Sequence, residues 1–374
     1  MKSFLTLLLT FCLTFSFAQE LALVREDGLF GYINKSGEYV IKPQFTKAKS
    51  FSEGLAAVEK GKSWGFIDSS GEWALEPEYD KVKYFNSGYA LVLQSDQWHY
   101  IDKSGKKLDT PIADKYFDFI DGVALIKKDD QVGLLGTDGK MIMEPSFEEV
   151  KKFRNGYAKA RKGDSWGMID STGKTIIPFE YDEIGNTYSE FGVYGKKGEA
   201  FGIIHNGNFN VVAGADKIWN FHGDSGLTYA RKNKKTGFVN SKGEWVIEPT
   251  FDKARAFSKG LAPVANGKQW GFINPDGETV IALQYKDAEV FSDNGLAPVK
   301  EKDWGFIDTS GNMIIPTDYS ITAGLAFLAG NNDKGFNGDI ARLKSKKGWG
   351  FFNTKGELLG NKWYQNAEPF VNMK

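Results

Sequence analysis

The chain has 374 residues, 41% of them apolar and 25% charged, with 47 Lys and Arg against 48 Asp and Glu. That is ordinary globular usage, and the near balance of charge excludes a general nucleic-acid or anionic-membrane surface. The single cysteine is Cys12, close to the N-terminus, so the rest of the chain can form no disulfide, thiolate metal site or cysteine nucleophile.

Residues 1–18 read as a signal peptide. Lys2 supplies the positive start, Phe4 to Phe17 an almost unbroken apolar run, and Ser16 and Ala18 the small residues of a cleavage site after Ala18. The run is too short for a membrane span, and Phe11 ahead of Cys12 is the wrong residue for a lipoprotein site. The expectation is an exported protein, periplasmic or extracellular, with no transmembrane segment in the mature chain. Removing Lys2 with the leader leaves 46 basic and 48 acidic residues, a net charge of −2.

From residue 19 onward one unit recurs. WGFID stands at Trp64 to Asp68 and at Trp304 to Asp308, WGMID at Trp166 to Asp170, WGFIN at Trp270 to Asn274 and WGFFN at Trp349 to Asn353. Looser copies begin at Phe30, Trp98, Val132, Phe201 and Thr236. The Gly of the pentad falls at 31, 65, 99 (a His), 133, 167, 202, 237, 271, 305 and 350, in steps of 34 or 35 until a last step of 45. Self-similarity at a fixed period marks a repeat array with a continuous core, so residues 19–374 read as one domain of about ten copies, with an insertion near 330–340.

The copy from Phe51 to Asp80 shows the unit. Leu55 to Val58, Trp64 to Asp68 and Glu72 to Leu75 are short runs separated by polar, Gly-containing turns. Three such runs predict a three-stranded antiparallel β-meander, and none is long enough for an amphipathic helix. A Gly six residues after the anchor (Gly71, Gly105, Gly173, Gly311 and others) predicts a turn with positive φ. The Asp or Asn three after the anchor caps that turn, and prolines such as Pro77 and Pro249 end the third strand. Apolar residues on both faces of the pentad predict a central strand covered on both sides. Phe51, Phe85, Phe119, Phe153, Phe257 and Phe291 form a second row of core residues.

These columns resemble the WG repeat, or WG β-repeat, of bacterial proteins, whose pattern combines a Trp-Gly-Phe-Ile-Asp strand, a Ser-Gly turn, a Val-Ile-Pro strand and a Phe-x-x-Gly-Leu-Ala-x-Val strand. The copy at 98–111 departs from it at His99, and the copy at 201–215 lacks both Trp and Pro. The resemblance implies a scaffold or binding module and carries over no catalytic residue. The fold expected is all-β, a superhelical or solenoid-like array of about ten meanders with atypical terminal copies. The alternative is a closed propeller-like toroid, against which the short unit and the number of copies stand.

No catalytic, cofactor or metal site is expected. Asp68-Ser69-Ser70-Gly71 lacks the ligand pattern of a calcium loop, and His99, His205 and His222 are scattered without ligand spacing. The Trp column (Trp64, Trp98, Trp166, Trp270, Trp304, Trp349) reads as packing between repeats, with an aromatic ladder for a sugar or peptide as the other reading. Trp73, Trp219, Trp245 and Trp363 fall off that column and are candidate binding aromatics. The insertion supplies a candidate binding loop with Asn331, Asn332, Asp333, Phe336 and Asp339. The divergent segments Val132 to Gly136 and Phe201 to His205 are further places to expect local function. The function expected is a non-enzymatic exported module for a protein, peptide or glycan partner in the cell envelope. A purely structural repeat without ligand is the alternative, and a hydrolase in a divergent copy a remote one.

Overall fold

The computed structural model describes residues 20–223, 225–320 and 335–373. The leader expected at 1–18 and the candidate residues Asn331, Asn332 and Asp333 lie outside the described residues.

The turn after each pentad forms as its chemistry predicts. Asp68 Oδ1 accepts from the backbone N–H of Ser70 (2.8 Å) and Glu72 (3.1 Å) and from the Ser70 hydroxyl (2.6 Å), while Gly71, at φ +90°, donates to the Asp68 carbonyl. Asp102, Asp170 and Asp308 repeat the two backbone bonds, and so do Asn34, Asn240, Asn274 and Asn353. Hydrogen bonds from Ser70, Ser104, Thr172 and the Asn312 amide hold the four carboxyls below their ordinary range. A carboxylate depressed in the folded state contributes stability above its unfolded pKa, and that stability disappears as pH falls through the folded value. The melting temperature is therefore expected to drop below about pH 4. Combining Asp68→Asn, Asp102→Asn, Asp170→Asn and Asp308→Asn, each the residue other copies already use, should flatten that drop. Identical acid profiles of the two proteins in differential scanning fluorimetry would count against this role.

Strand pairing makes the pentad central, as expected. In one copy Ala56–Lys60 pairs with Ser63–Ile67, with Val58 opposite Gly65, and Ser63–Ile67 pairs on its other side with Trp73–Tyr79. Phe66 and Ile67 are each 1% exposed. The third strand differs from expectation in one respect. Phe66 faces Leu75 and Trp64 faces Tyr79, so four steps of the outer strand oppose two of the inner one. Pro77 lies inside this bulge rather than at a strand end, where its missing N–H breaks no ladder bond.

The meander also gains a strand. The connection leaving each outer strand forms a short segment that pairs with the next copy's first strand, as Glu149–Val150 does with Tyr157–Lys162 and Lys253–Ala254 with Ala262–Asn266. Most copies are thus four-stranded sheets. Among the described residues there are ten sheets, the blades of a ring. Blade 1 is numbered from the pentad strand Leu29–Ile33. Blades 2 to 10 hold Ser63–Ile67, Gln97–Asp102, Gln131–Gly136, Ser165–Asp170, Ala200–His205, Lys235–Val239, Gln269–Ile273, Trp304–Ile307 and Gly348–Asn353.

The ring is closed, so the ten-bladed propeller forms and the open array with terminal caps does not. Glu20–Glu26, the first strand of blade 1, pairs with Asn366–Ala367 and with Val371–Asn372 from the other end of the chain. The two ends complete one sheet, which leaves no terminal repeat with an uncovered face.

Seven of the ten blade junctions use the same aromatic pair, the pentad position being Leu134, Met168 or Ile203 at the other three. The pentad aromatic of one blade meets the core Phe of the following blade in Tyr32–Phe51 (4.7 Å), Phe66–Phe85 (4.8 Å), Tyr100–Phe119 (4.8 Å), Phe238–Phe257 (4.7 Å), Phe272–Phe291 (5.0 Å) and Phe306–Phe336 (5.1 Å). Phe351–Phe370 (4.9 Å) is the equivalent pair at the closing seam. Edge-to-face and tilted contacts of this kind add to the burial of the rings. Hydroxyls at the inner turns reinforce them, with Ser52 Oγ donating to the Phe85 carbonyl and Ser258 Oγ to that of Phe291, both at 2.6 Å.

Candidate functional site

The hairpin tips between first and pentad strands, and the crossings from outer strand to next blade, lie on one face of the ring. The pentad Trp opens its strand on that face and is half-buried in most copies, with Trp270 buried. Cations cover these rings: Lys159 lies 4.3 Å from the Trp166 centroid, Arg255 4.4 Å from Trp270 and Arg342 4.4 Å from Trp349. The cationic cover and the burial make this column part of the packing between blades.

One stretch of this face opens into a cavity of about 610 Å³ across blades 7, 8 and 9. It is lined by Trp219, Tyr229 and Thr236 of blade 7, by Lys253, Arg255 and Trp270 of blade 8, and by Lys286 and Asp287 of blade 9. The Trp219 and Tyr229 rings stack at 4.6 Å and 19°, and the Lys217 ammonium lies 4.6 Å from the Trp219 centroid. Burial pushes the Tyr229 hydroxyl pKa up, Arg255 opposes that shift and Glu289 adds to it. Arg255 bridges two blades: its guanidinium meets Asp287 at 2.9 Å and Glu289 at 3.1 Å while covering Trp270. Lys235 holds Asp252 at 2.6 Å, and that bond with the Gly267 N–H keeps the carboxyl below its usual range.

The lining carries five cations, Arg231, Lys234, Lys253, Arg255 and Lys286, against two carboxylates, Asp252 and Asp287. Arg231 is paired with Asp216 at 2.5 Å. Lys234, Lys253 and Lys286 are exposed and have no ion pair among the described residues. The lining has no His, Ser or Cys, and its hydroxyls are those of Tyr229 and Thr236. Among the described residues no three His, Cys, Asp or Glu side chains gather into a metal-sized group, and no helix is long and apolar enough to cross a membrane.

The candidates named from the sequence do not form one platform. Trp219 lines the cavity. Trp73 is a half-buried member of an outer strand, with Lys60 5.8 Å from its ring. Trp245 is tied down by its indole N–H, which donates to the Ala213 carbonyl at 3.1 Å. Trp363 packs on Phe352 and Tyr319. Phe336 is 3% exposed and occupies the core Phe column, which corrects its place in a binding loop. Asp339 is exposed in the turn between Phe336–Asn337 and Ile340–Ser345. Val132 to Gly136 and Phe201 to His205 are ordinary, mostly buried pentad strands, so neither divergent segment presents a local surface. The sequence reading missed Tyr229, Arg255, Lys234, Lys253 and Lys286. One signal was legible: two residues before the core Phe stand Lys49, Lys83, Lys151 and Arg255 in four copies, Phe117 and Glu289 in two others, and Trp219 in blade 7.

Solved structures similar to this chain include a eukaryotic initiation factor, at 12% identity and a TM-score of 0.47 over 80% of this chain and 96% of that one. The tricorn protease is similar at 12% identity and a TM-score of 0.26, covering 91% of this chain and 44% of that one. PorZ, a surface component of the type-IX secretion system of Porphyromonas gingivalis, is similar at 9% identity and 0.27, covering 92% and 52%. No curated protein matches the sequence. The WG containing repeat matches at residues 30–63, 64–98, 133–165, 166–198, 237–269, 270–303 and 304–320. Those matches cover more than half of the chain, with the pentad, turn and Phe columns in register, and the chain belongs to the WG containing repeat family.

Proposed function

We propose that this protein is an exported, non-catalytic interaction module that holds a partner protein at the groove across blades 7 to 9. The observation that carries the reading is the cavity itself, where three aromatic rings and five cations converge from separate blades. A concave site with convergent polar groups is the default binding site of a fold, and function is argued from such sites rather than from the fold. Export rests on the apolar run Phe4 to Phe17. The repeated Trp column belongs to the scaffold in this reading, because cations and neighbouring blades already engage its rings.

Site-specific photo-crosslinking tests it. A photoreactive residue replacing Lys253 is expected to trap a discrete adduct in cells that produce the protein. The same residue replacing Lys140, exposed at a turn of blade 4, should not. No adduct at Lys253, or the same adducts at both positions, would overturn the assignment of the groove.

A further inference from the structure

Resting on that reading, we infer that the groove takes an acidic peptide segment, bound through its carboxylates by Lys234, Lys253 and Lys286. The chain without its leader is net acidic, yet this lining carries five cations and two carboxylates. Both carboxylates are already engaged, Asp252 by Lys235 and the Gly267 N–H, Asp287 by Arg255. The three lysines have no ion pair among the described residues, and their stems are exposed. They come from the hairpin tip of blade 7, the start of the inner strand of blade 8 and the start of that of blade 9. Cations spread over three blades match an extended chain bearing several anionic groups, not one compact anion.

The aromatic rings decide between polymer types. A sugar platform needs a ring face open to solvent. Here Trp219 is engaged by Tyr229 and Lys217, and Trp270 is 7% exposed beneath Arg255. The rings form the walls that fix Arg255 and the inner strands, and the lysines make the contact. Recognition by exposed lysines is governed by charge complementarity, is rapid, and weakens with salt.

Fluorescence anisotropy with a labelled alternating Glu-Ser peptide tests this on the full chain. The peptide is expected to bind, with affinity falling steeply as salt rises. The combined variant Lys234→Glu, Lys253→Glu and Lys286→Glu should lose about tenfold or more. Lys106→Glu, Lys140→Glu and Lys174→Glu together make the same change of net charge at exposed turns of blades 3 to 5 and should leave binding intact. Equal loss in both triple variants, or equal binding by the groove variant and the parent, would overturn the inference. Tighter binding of an oligouronate than of the peptide would overturn it in favour of an anionic glycan. If crosslinking at Lys253 traps a partner while the peptide does not bind, the acidic class falls and the interaction module stands. If neither occurs, both fall.

Discussion

Gly65→Val is expected to destabilise the protein by about 3 kcal/mol, at the upper end of overpacking costs. A Cβ built at Gly65 lies 2.6 Å from the Leu75 carbonyl oxygen, 2.8 Å from the Pro77 nitrogen and 2.8 Å from Trp73 Cζ3. Two of these three atoms are backbone of the bulged outer strand, which cannot swing aside as a flexible side chain would. Gly65 does not have a positive φ, so the penalty is one of space and not of backbone conformation. Its equivalents Gly31, Gly237, Gly271 and Gly305 meet the same outer-strand backbone. The protein contains its own control in blade 3, where His99 stands at this column. There the outer strand is reduced to a single bridge, Ile101 to Lys107, so no bulge presses on the residue. Urea unfolding of Gly65→Val should show a lower midpoint with little change in slope. An unshifted midpoint would show that the outer strand tolerates a side chain there.

Opening the ring is expected to cost more. Phe370→Ala removes the seam copy of the repeated aromatic pair and should cost about 3–5 kcal/mol, as for a buried Phe. Deleting residues 362–374 removes further contacts. Gln365 and Glu368 donate backbone N–H bonds to the Arg25 and Leu23 carbonyls, at 2.9 and 2.8 Å. Lys362 pairs with Glu26 at 2.9 Å, and Tyr39 donates its hydroxyl to the same carboxylate. Arg342 donates to the Ala367 carbonyl while lying over Trp349. Without this strand blades 1 and 10 each present an open face. Unfolding should then lose its single transition, because an open array unravels from its ends. Small-angle scattering should report a larger radius of gyration for the deletion. An unchanged radius together with an unchanged melting profile would mean that the seam does not hold the ring.

Much of the blade was legible in the sequence because its signals are local. The turn at Asp68 to Glu72 is a matter of one carboxylate, three donors and a Gly with positive φ, all within five positions. Burial of both Phe66 and Ile67 follows from two consecutive apolar columns. The two-residue inner strands had no such signal, since Lys81–Val82 or Asp287–Ala288 are too short for any periodicity. Each becomes a strand only because the next blade's first strand offers an edge. Pro77 misled for a related reason: its missing N–H is compatible with a strand end or a bulge, and only the partner strand's register distinguishes the two.

The site was less legible. Trp219 stood out because it lies off the pentad Trp column, but Tyr229, Lys253, Arg255 and Lys286 belong to three blades and are unremarkable in their own copies. Trp73, Trp245 and Trp363 also lie off the pentad Trp column, yet they pack against their own or neighbouring sheets.

By itself, then, the sequence determined the repeat, its strands and its turns, because each depends on residues a few positions apart and on the backbone preferences of Gly, Asp, Asn and Pro. Only the tertiary structure decided that ten copies close into a ring and that one groove gathers cations. The rotation from one blade to the next is a small sum over many contacts. Whether those rotations bring Asn366–Ala367 beside Glu20–Glu26 is a property of the whole circuit, carried by no single repeat.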